Sequence, residues 1–268
     1  MIASVKYVSS LLEHENIKPN RNLGQNYFID GEYLSQLISN VPLDGKHVLE
    51  IGPGLGALTE LLLDRGASVT AIEKDPVLIP LLKQALPAAT LTVIEADCLR
   101  IRNDLMPKPF TAAGNLPYYI TADIIEKLYR MRPEQMILMI QKEAADRFFA
   151  QPSDKNYVPL SAACSLFYTV ERLGNITPEK YYPSPNVTST VIYLKERPDF
   201  PQEDPGEVLS FFSECFRMRR KTLVNNLSAY GNCKAIIESL GLSGSVRGEA
   251  LSPEQLLALF RKIKPDNI

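Results

Sequence analysis

The chain has 268 residues, 45% of them apolar and 22% charged, which suits one large globular domain plus a smaller one and excludes extended disorder or fibrous repeats. With 29 basic and 31 acidic residues the net charge is −2, so there is no global pull toward nucleic acid and any such contact must come from a local basic patch. Four scattered cysteines without a Cys-x-x-Cys pair, and only two histidines (His14 and His47), argue against a metal site, a disulfide framework or a Ser-His-Asp centre.

Near the N-terminus an apolar run over 8–12, bracketed by Lys6, Glu13 and His14, is too short for the core of a signal peptide. No stretch approaches the ~20 apolar residues that span a bilayer. The expectation is a cytoplasmic protein without a membrane partner. Apolar runs then predict strands over 48–51, 69–72, 91–94, 110–113 and 136–140, alternating with helical patterns over 55–64, 77–85 and 120–131. Such alternation implies βαβ units and a mostly parallel sheet. Runs over 167–173 and 190–194 predict two further strands. Past Arg197, Pro198, Pro201 and Pro205 with Asp199, Glu203 and Asp204 form an acidic connector that cannot hold a helix. Only helical patterns follow, over 207–216, 222–229, 234–240 and 253–263, the last opened by Ser252 as cap, Pro253, and Gln255 at the third position. The boundary is therefore expected between a domain over 1–197 and a small all-helical domain over 198–268.

Glu50-Ile-Gly-Pro-Gly-Leu-Gly56 lies where the first of these strands meets a helix. Gly52, Gly54 and Gly56 let the backbone turn tightly and let a ligand approach, and such turns at the carboxyl ends of strands bind nucleotides. The next strand runs into Glu73, which can accept from vicinal ribose hydroxyls. The third delivers Asp97, which can accept from an adenine amino group. A nicotinamide or an adenosyl cofactor fits three such strand ends. Spacing of the form G-x-G-x-G in place of G-x-G-x-x-G, with Glu50 two residues before the first glycine, favours an adenosyl ligand without a pyrophosphate.

After the fourth strand comes Gly114-Asn-Leu-Pro-Tyr-Tyr-Ile120. The side-chain oxygen of Asn115 and the carbonyl of Leu116 can both accept from one exocyclic amino group, holding its nitrogen closer to tetrahedral so that the lone pair attacks a methyl group. Pro117 fixes the loop's φ and Tyr118 offers a face for a base.

With Glu-Ile-Gly-Pro-Gly-Leu-Gly upstream, Asn-Leu-Pro-Tyr resembles the S-adenosylmethionine-dependent ribosomal RNA adenine dimethyltransferases, and most the KsgA type that acts on the small subunit. Leu23-Gly-Gln-Asn-Tyr-Phe-Ile-Asp30, Gln141-Lys-Glu143, Tyr182-Pro-Ser-Pro-Asn-Val187 and Phe216-Arg-Met-Arg-Arg-Lys-Thr-Leu-Val-Asn-Asn-Leu227 carry the likeness across nearly the whole chain. The last of these favours the KsgA type over the Erm type, which methylates large-subunit RNA. The resemblance implies a Rossmann-like methyltransferase sheet and S-adenosylmethionine as donor, with S-adenosylhomocysteine as product. It places Asn26 and Phe28 against the cofactor, Gly52 at its methionine portion, Glu73 on its ribose, Asp97 on its adenine, and Asn115 between cofactor and target. It also implies dimethylation of two adjacent adenosines in the last hairpin loop of small-subunit rRNA, by a monomer acting on an immature small subunit during ribosome biogenesis. Tyr119 stands where the family often has Asn, and Thr188 where it often has Asp. Erm-like chemistry and a non-catalytic nucleic-acid-binding relative are the alternatives; the presence of Gly52, Glu73, Asp97 and Asn115 speaks against the second. For RNA contact, Arg217, Arg219, Arg220 and Lys221 put four cations in five residues, and Lys18 with Arg21 forms a smaller basic segment.

Overall fold

The computed structural model describes residues 2–264. Its elements in chain order begin with α1 (Val5–His14), β1 (Tyr27–Phe28), α2 (Gly31–Leu37), β2 (His47–Ile51), α3 (Ala57–Asp64), β3 (Ser68–Glu73), α4 (Leu78–Ala85) and β4 (Leu91–Glu95). There follow β5 (Thr111–Asn115), α5 (Thr121–Met131), β6 (Gln135–Gln141), α6 (Lys142–Asp146), α7 (Pro159–Phe167), β7 (Tyr168–Ile176), β8 (Tyr181–Tyr182) and β9 (Ser189–Glu196). The chain closes with α8 (Pro205–Phe216), α9 (Leu223–Asn226), α10 (Cys233–Ser239) and α11 (Pro253–Ile263).

Seven strands form one sheet in the order β4-β3-β2-β5-β6-β9-β7. The pairs β2·β3, β3·β4, β2·β5 and β5·β6 are parallel, with Ile51 opposite Ile72, Ile72 opposite Ile94, Glu50 opposite Ala113 and Asn115 opposite Met139. Parallel strands covered on both faces read as unbroken apolar runs. In β6 every residue from Gln135 to Ile140 is buried, while in the edge strand β4 none is. Winding proceeds one way from β2 through β3 to β4 and the other way through β5 and β6. The direction therefore reverses between β2 and β5, and the loops after these two strands splay apart to leave a crevice. Gly114 permits the two strands to approach: a Cβ there would meet the Ile51 carbonyl oxygen at 2.7 Å. A second, two-stranded sheet pairs β1 with β8, setting Tyr27 opposite Tyr182 and Phe28 opposite Tyr181.

By its internal contacts the chain divides into Met1–Ala145 with Glu171–Leu194, and Asp146–Val170 with Lys195–Ile268. The expected boundary at 197/198 lies near the last crossing, but the segment over 146–170 groups with the C-terminal helices. Its helix α7 packs against α8 and α11 and buries Ala162, Ala163, Cys164, Leu166 and Phe167. So few of its positions face water that the helical periodicity marking the other helices is lost. Within the second unit, Phe211 meets Phe260 edge-on at 5.5 Å and Tyr157 meets Phe216 at 5.5 Å.

Helix starts differ from expectation where caps decide them. Pro205 is not connector but the first residue of α8, with the Asp204 carboxylate accepting from Glu207 N–H at 3.0 Å. The first helix past the glycine loop starts at Ala57 because Gly56, at φ 96°, is its cap. The helix expected over 222–229 is only Leu223–Asn226, since Thr222 is its cap and a separate 3-10 turn takes up Ser228–Tyr230. Helix α11 forms as predicted: Gln255 N–H donates to Ser252 Oγ at 3.2 Å and Ser252 N–H to Gln255 Oε1 at 2.9 Å.

Candidate active site

The crevice between β2 and β5 is a cleft lined by Asn26, Phe28, Glu50, Gly52, Glu73, Asp97, Asn115 and Pro117, among others. Residues distant in sequence converge there because parallel strands carry all their carboxyl ends to one edge of the sheet. The glycine loop turns with φ +65° at Gly52, +57° at Gly54 and +96° at Gly56. At Gly52 a Cβ would meet no atom within 4 Å, so that position is open space for a ligand. Gly54 is tighter, with a virtual Cβ 3.4 Å from the Tyr27 ring.

Glu73 ends β3 and is 6% exposed. Its two oxygens accept from Asp75 N–H at 2.8 Å and Gly54 N–H at 3.2 Å, with Lys74 N–H a further donor, which fixes the carboxyl. Burial raises its pKa, opposed by those N–H donors. Glu50 lies deeper. Burial pushes it up to about 8, against the lowering effect of the Thr59 hydroxyl that donates to it at 2.7 Å and with a further raise from Glu73. Its burial under the glycine loop favours the protonated form. Asp97 is the opposite case: the Lys74 ammonium at 3.0 Å holds its carboxyl below the ordinary range, and Leu99 N–H donates to its other oxygen at 3.0 Å.

Asn115 ends β5. Its side-chain Nδ2 donates to the Asn26 carbonyl at 3.2 Å. That bond commits the amide's donor end to the N-terminal segment and leaves Oδ1 as an acceptor. Leu116 is anchored through its N–H to the Met139 carbonyl at 3.0 Å, with its side chain buried. The Pro117 carbonyl accepts from Thr121 Oγ1 at 3.0 Å. The Tyr118 hydroxyl bonds Ser189 Oγ at 2.7 Å, which sets the plane of its ring, although the ring is not among the cleft's lining groups. Phe28 is buried edge-on against Tyr181 at 5.4 Å. At the Asp-to-Thr departure, Thr188 uses its backbone, accepting from Lys142 N–H at 3.0 Å.

Sequence reasoning passed over Gln25, Tyr27 and Tyr119 as site residues. Gln25 Nε2 donates to Asp75 at 2.7 Å, and its Oε1 accepts from Asn20 N–H at 2.7 Å and from Tyr27 Oη at 2.8 Å. These bonds tie the N-terminal segment to the end of β3. The quoted Leu-Gly-Gln-Asn motif was the available signal. Tyr119 also lines the cleft.

The four-cation cluster belongs to the second unit, and all four residues are exposed. Arg219 is engaged with backbone: its guanidinium donates to the Lys155 carbonyl at 3.0 Å and the Asp154 carbonyl at 3.2 Å. Arg217 donates to the Asn226 carbonyl at 3.3 Å. The buried Asn226 side chain accepts from Met218 N–H at 3.1 Å and donates to the Cys215 carbonyl at 2.8 Å, stapling the turn that carries the cations. In the smaller segment Lys18 is exposed, and the Arg21 side chain lies outside the described residues.

A family model described as ribosomal RNA adenine dimethylase matches residues 16–264. The chain belongs to that family. It is thus an rRNA adenine dimethyltransferase, and membership in this methyltransferase family and fold implies S-adenosylmethionine as methyl donor. Relatives named ribosomal RNA small subunit methyltransferase A include one from Deinococcus radiodurans, 39% identical over 90% of this chain and 85% of its own length. Another, from Streptococcus sanguinis, is 35% identical over 100% of this chain and 99% of its own. Among solved structures, a dimethyladenosine transferase from Plasmodium falciparum aligns with a TM-score of 0.75 at 27% identity, covering 88% of this chain and 97% of that one. The 23S rRNA methyltransferase ErmE aligns at 0.66 and 25% identity, covering 89% of this chain and 100% of that one. The cleft's residues fit the donor: an open glycine turn at Gly52, and carboxylates at Glu73 and Asp97 with capacity to accept. Among the described residues no helix is long and apolar enough to cross a membrane.

Proposed function

We propose that this chain dimethylates the N6 amino groups of two adjacent adenosines in the 3′-terminal hairpin loop of small-subunit rRNA. It acts as a cytoplasmic monomer on immature small subunits during ribosome biogenesis. One observation carries the reading: Asn115 spends its Nδ2 donor on the Asn26 carbonyl, leaving an oxygen acceptor at the crevice where Glu73 and Asp97 also lie. The relatives' names supply the choice of subunit.

In this reading Glu73 takes the ribose hydroxyls of the donor, Asp97 the adenine amino group, and Gly52 leaves room for the methionine portion, with Asn26 and Phe28 flanking. Bound there, S-adenosylmethionine supplies an electrophilic methyl carbon and is released as S-adenosylhomocysteine. Asn115 Oδ1 and the Leu116 carbonyl accept from the target N6 amino group. They hold it out of conjugation with the purine, so that its lone pair faces the methyl carbon. Pro117 limits the loop's freedom, and Tyr118, its hydroxyl fixed by Ser189, supports the base, which must leave its stack or already lie in a loop. No side chain has to act as a strong base, because the alkylated nitrogen is acidic enough to release its proton to water. Arg217, Arg220 and Lys221 meet RNA phosphates, while Arg219 keeps their loop in shape.

The likeness to ErmE makes large-subunit methylation the competing reading. Both are tested by offering purified immature small subunits and large subunits with labelled donor, then mapping the product. Label confined to adjacent adenosines of the small-subunit terminal hairpin is expected. Label in large-subunit RNA would overturn the assignment.

A further inference from the structure

The roles assigned so far leave one large ring in the cleft unused. Tyr119 is 57% exposed, yet it lines the same cleft as Glu73, Lys74 and Asp97. One edge of its ring rests on the N-terminal segment: a Cβ built on Gly24 would sit 3.4 Å from Cε1 and 3.5 Å from Cδ1. Gly24 has φ +66°, a backbone conformation that suits glycine. The ring is carried by the 3-10 turn Tyr118–Ile120, which is pinned by Ile120 N–H and Thr121 Oγ1 both donating to the Pro117 carbonyl. The backbone that carries the ring is thus fixed before any ligand arrives. Tyr119 shares the cleft lining with the Lys74–Asp97 ion pair, whose ammonium and carboxylate meet at 3.0 Å.

A pre-set aromatic face beside an acceptor for an amino group is the arrangement that holds a heteroaromatic ring, by its face and its edge together. The local charge selects which ring. Glu73 and Asp97 line this end of the cleft with Lys74 as counter-charge. An RNA base would bring its phosphates against those carboxylates, whereas the adenosyl group of the donor carries none.

We propose that Tyr119 is a cofactor-binding residue of this chain, its ring walling the adenine portion of the donor's pocket on the side opened by Gly24. The proposal rests on the reading that Asp97 takes the adenine amino group. It also gives meaning to the departure from the family's frequent Asn: this chain holds its donor with an additional aromatic wall.

The test is equilibrium binding without RNA, measured for S-adenosylmethionine, S-adenosylhomocysteine and 5′-deoxy-5′-methylthioadenosine, which lacks the amino-acid portion. Tyr119→Asn is expected to weaken all three by about 5- to 10-fold, as loss of one aromatic contact does, with Tyr119→Phe within about twofold of the parent. RNA affinity and melting temperature should not move. Glu73→Gln serves as the reference and should weaken all three ligands. If Glu73→Gln binds poorly while Tyr119→Asn binds like the parent, the role of Tyr119 is refuted and the cofactor site stands. If Tyr119→Asn lowers RNA affinity alone, the ring serves the substrate and the proposal is wrong. If Glu73→Gln binds normally, the underlying reading of the cleft fails with it.

Discussion

Glu50 and Asp97 are both acids in one cleft, and their surroundings drive their protonation in opposite directions. Glu50 is buried with one hydroxyl donor and raised to about 8, while Asp97 is lowered by Lys74. A carboxyl whose folded pKa exceeds its unfolded value binds its proton more tightly in the folded state. Its favourable contribution is complete below about pH 4.5 and is lost as pH rises through about 8. Glu73 shifts the same way and adds to the trend. The melting temperature of the parent protein should therefore fall between pH 5 and 8 more steeply than that of Glu50→Gln, which cannot ionise there. Parallel melting curves across that range would show that Glu50 does not titrate as its burial implies. Residue identity made Glu73, Asp97 and Asn115 legible in the sequence, since each is a polar residue at the end of an apolar run. The direction in which Asn115 turns its amide was not legible, because it depends on the carbonyl of Asn26, 89 positions away.

Strands of the central sheet could be read from the sequence because burial on both faces leaves them continuously apolar. Helices α3, α4, α5, α8 and α11 could be read because one face is wet, whereas α1 and α2 near the N-terminus were not read as helices. Elements that break those rules were missed: α7 is buried almost all round, and β1 and β8 are two residues each and exist only through pairing with each other. The switch between β2 and β5 depends on Gly114, where a Cβ would lie 2.7 Å from the Ile51 carbonyl oxygen and 2.8 Å from Leu116 Cδ2. Neither backbone nor a buried leucine yields cheaply. Gly114→Ala is expected to cost about 1–3 kcal/mol in chemical denaturation and to disturb the adjacent Asn115. A substitution without cost would mean that the two strands are not held as close as this.

Across the whole molecule, chemistry and RNA affinity are assigned to different compact units. The cleft residues lie in Met1–Ala145 and the basic turn lies in Lys195–Ile268. The two functions should therefore separate in variants. Replacing Arg220 and Lys221 by alanine is expected to weaken RNA binding and to flatten the log–log salt dependence by about 1 to 2, with donor affinity unchanged. Arg219→Ala should instead show as lost stability, since its guanidinium holds the loop carbonyls of Asp154 and Lys155. An unaltered salt slope in the double variant would remove the basic turn from the RNA interface. In the sequence these four cations look alike, because spacing alone does not distinguish a guanidinium bound to backbone from one left to solvent.

In the proposed reaction everything depends on an asparagine oxygen taking hold of the target amine. The measurement that tests it most directly is mass analysis of nucleosides from immature small subunits incubated with donor and either the parent protein or Asn115→Ala, with RNA binding followed in parallel. Two N6,N6-dimethyladenosines per particle are expected with the parent, and none with Asn115→Ala although that variant still binds the RNA. Dimethyladenosine formed by the variant at a rate near that of the parent would contradict that role of Asn115.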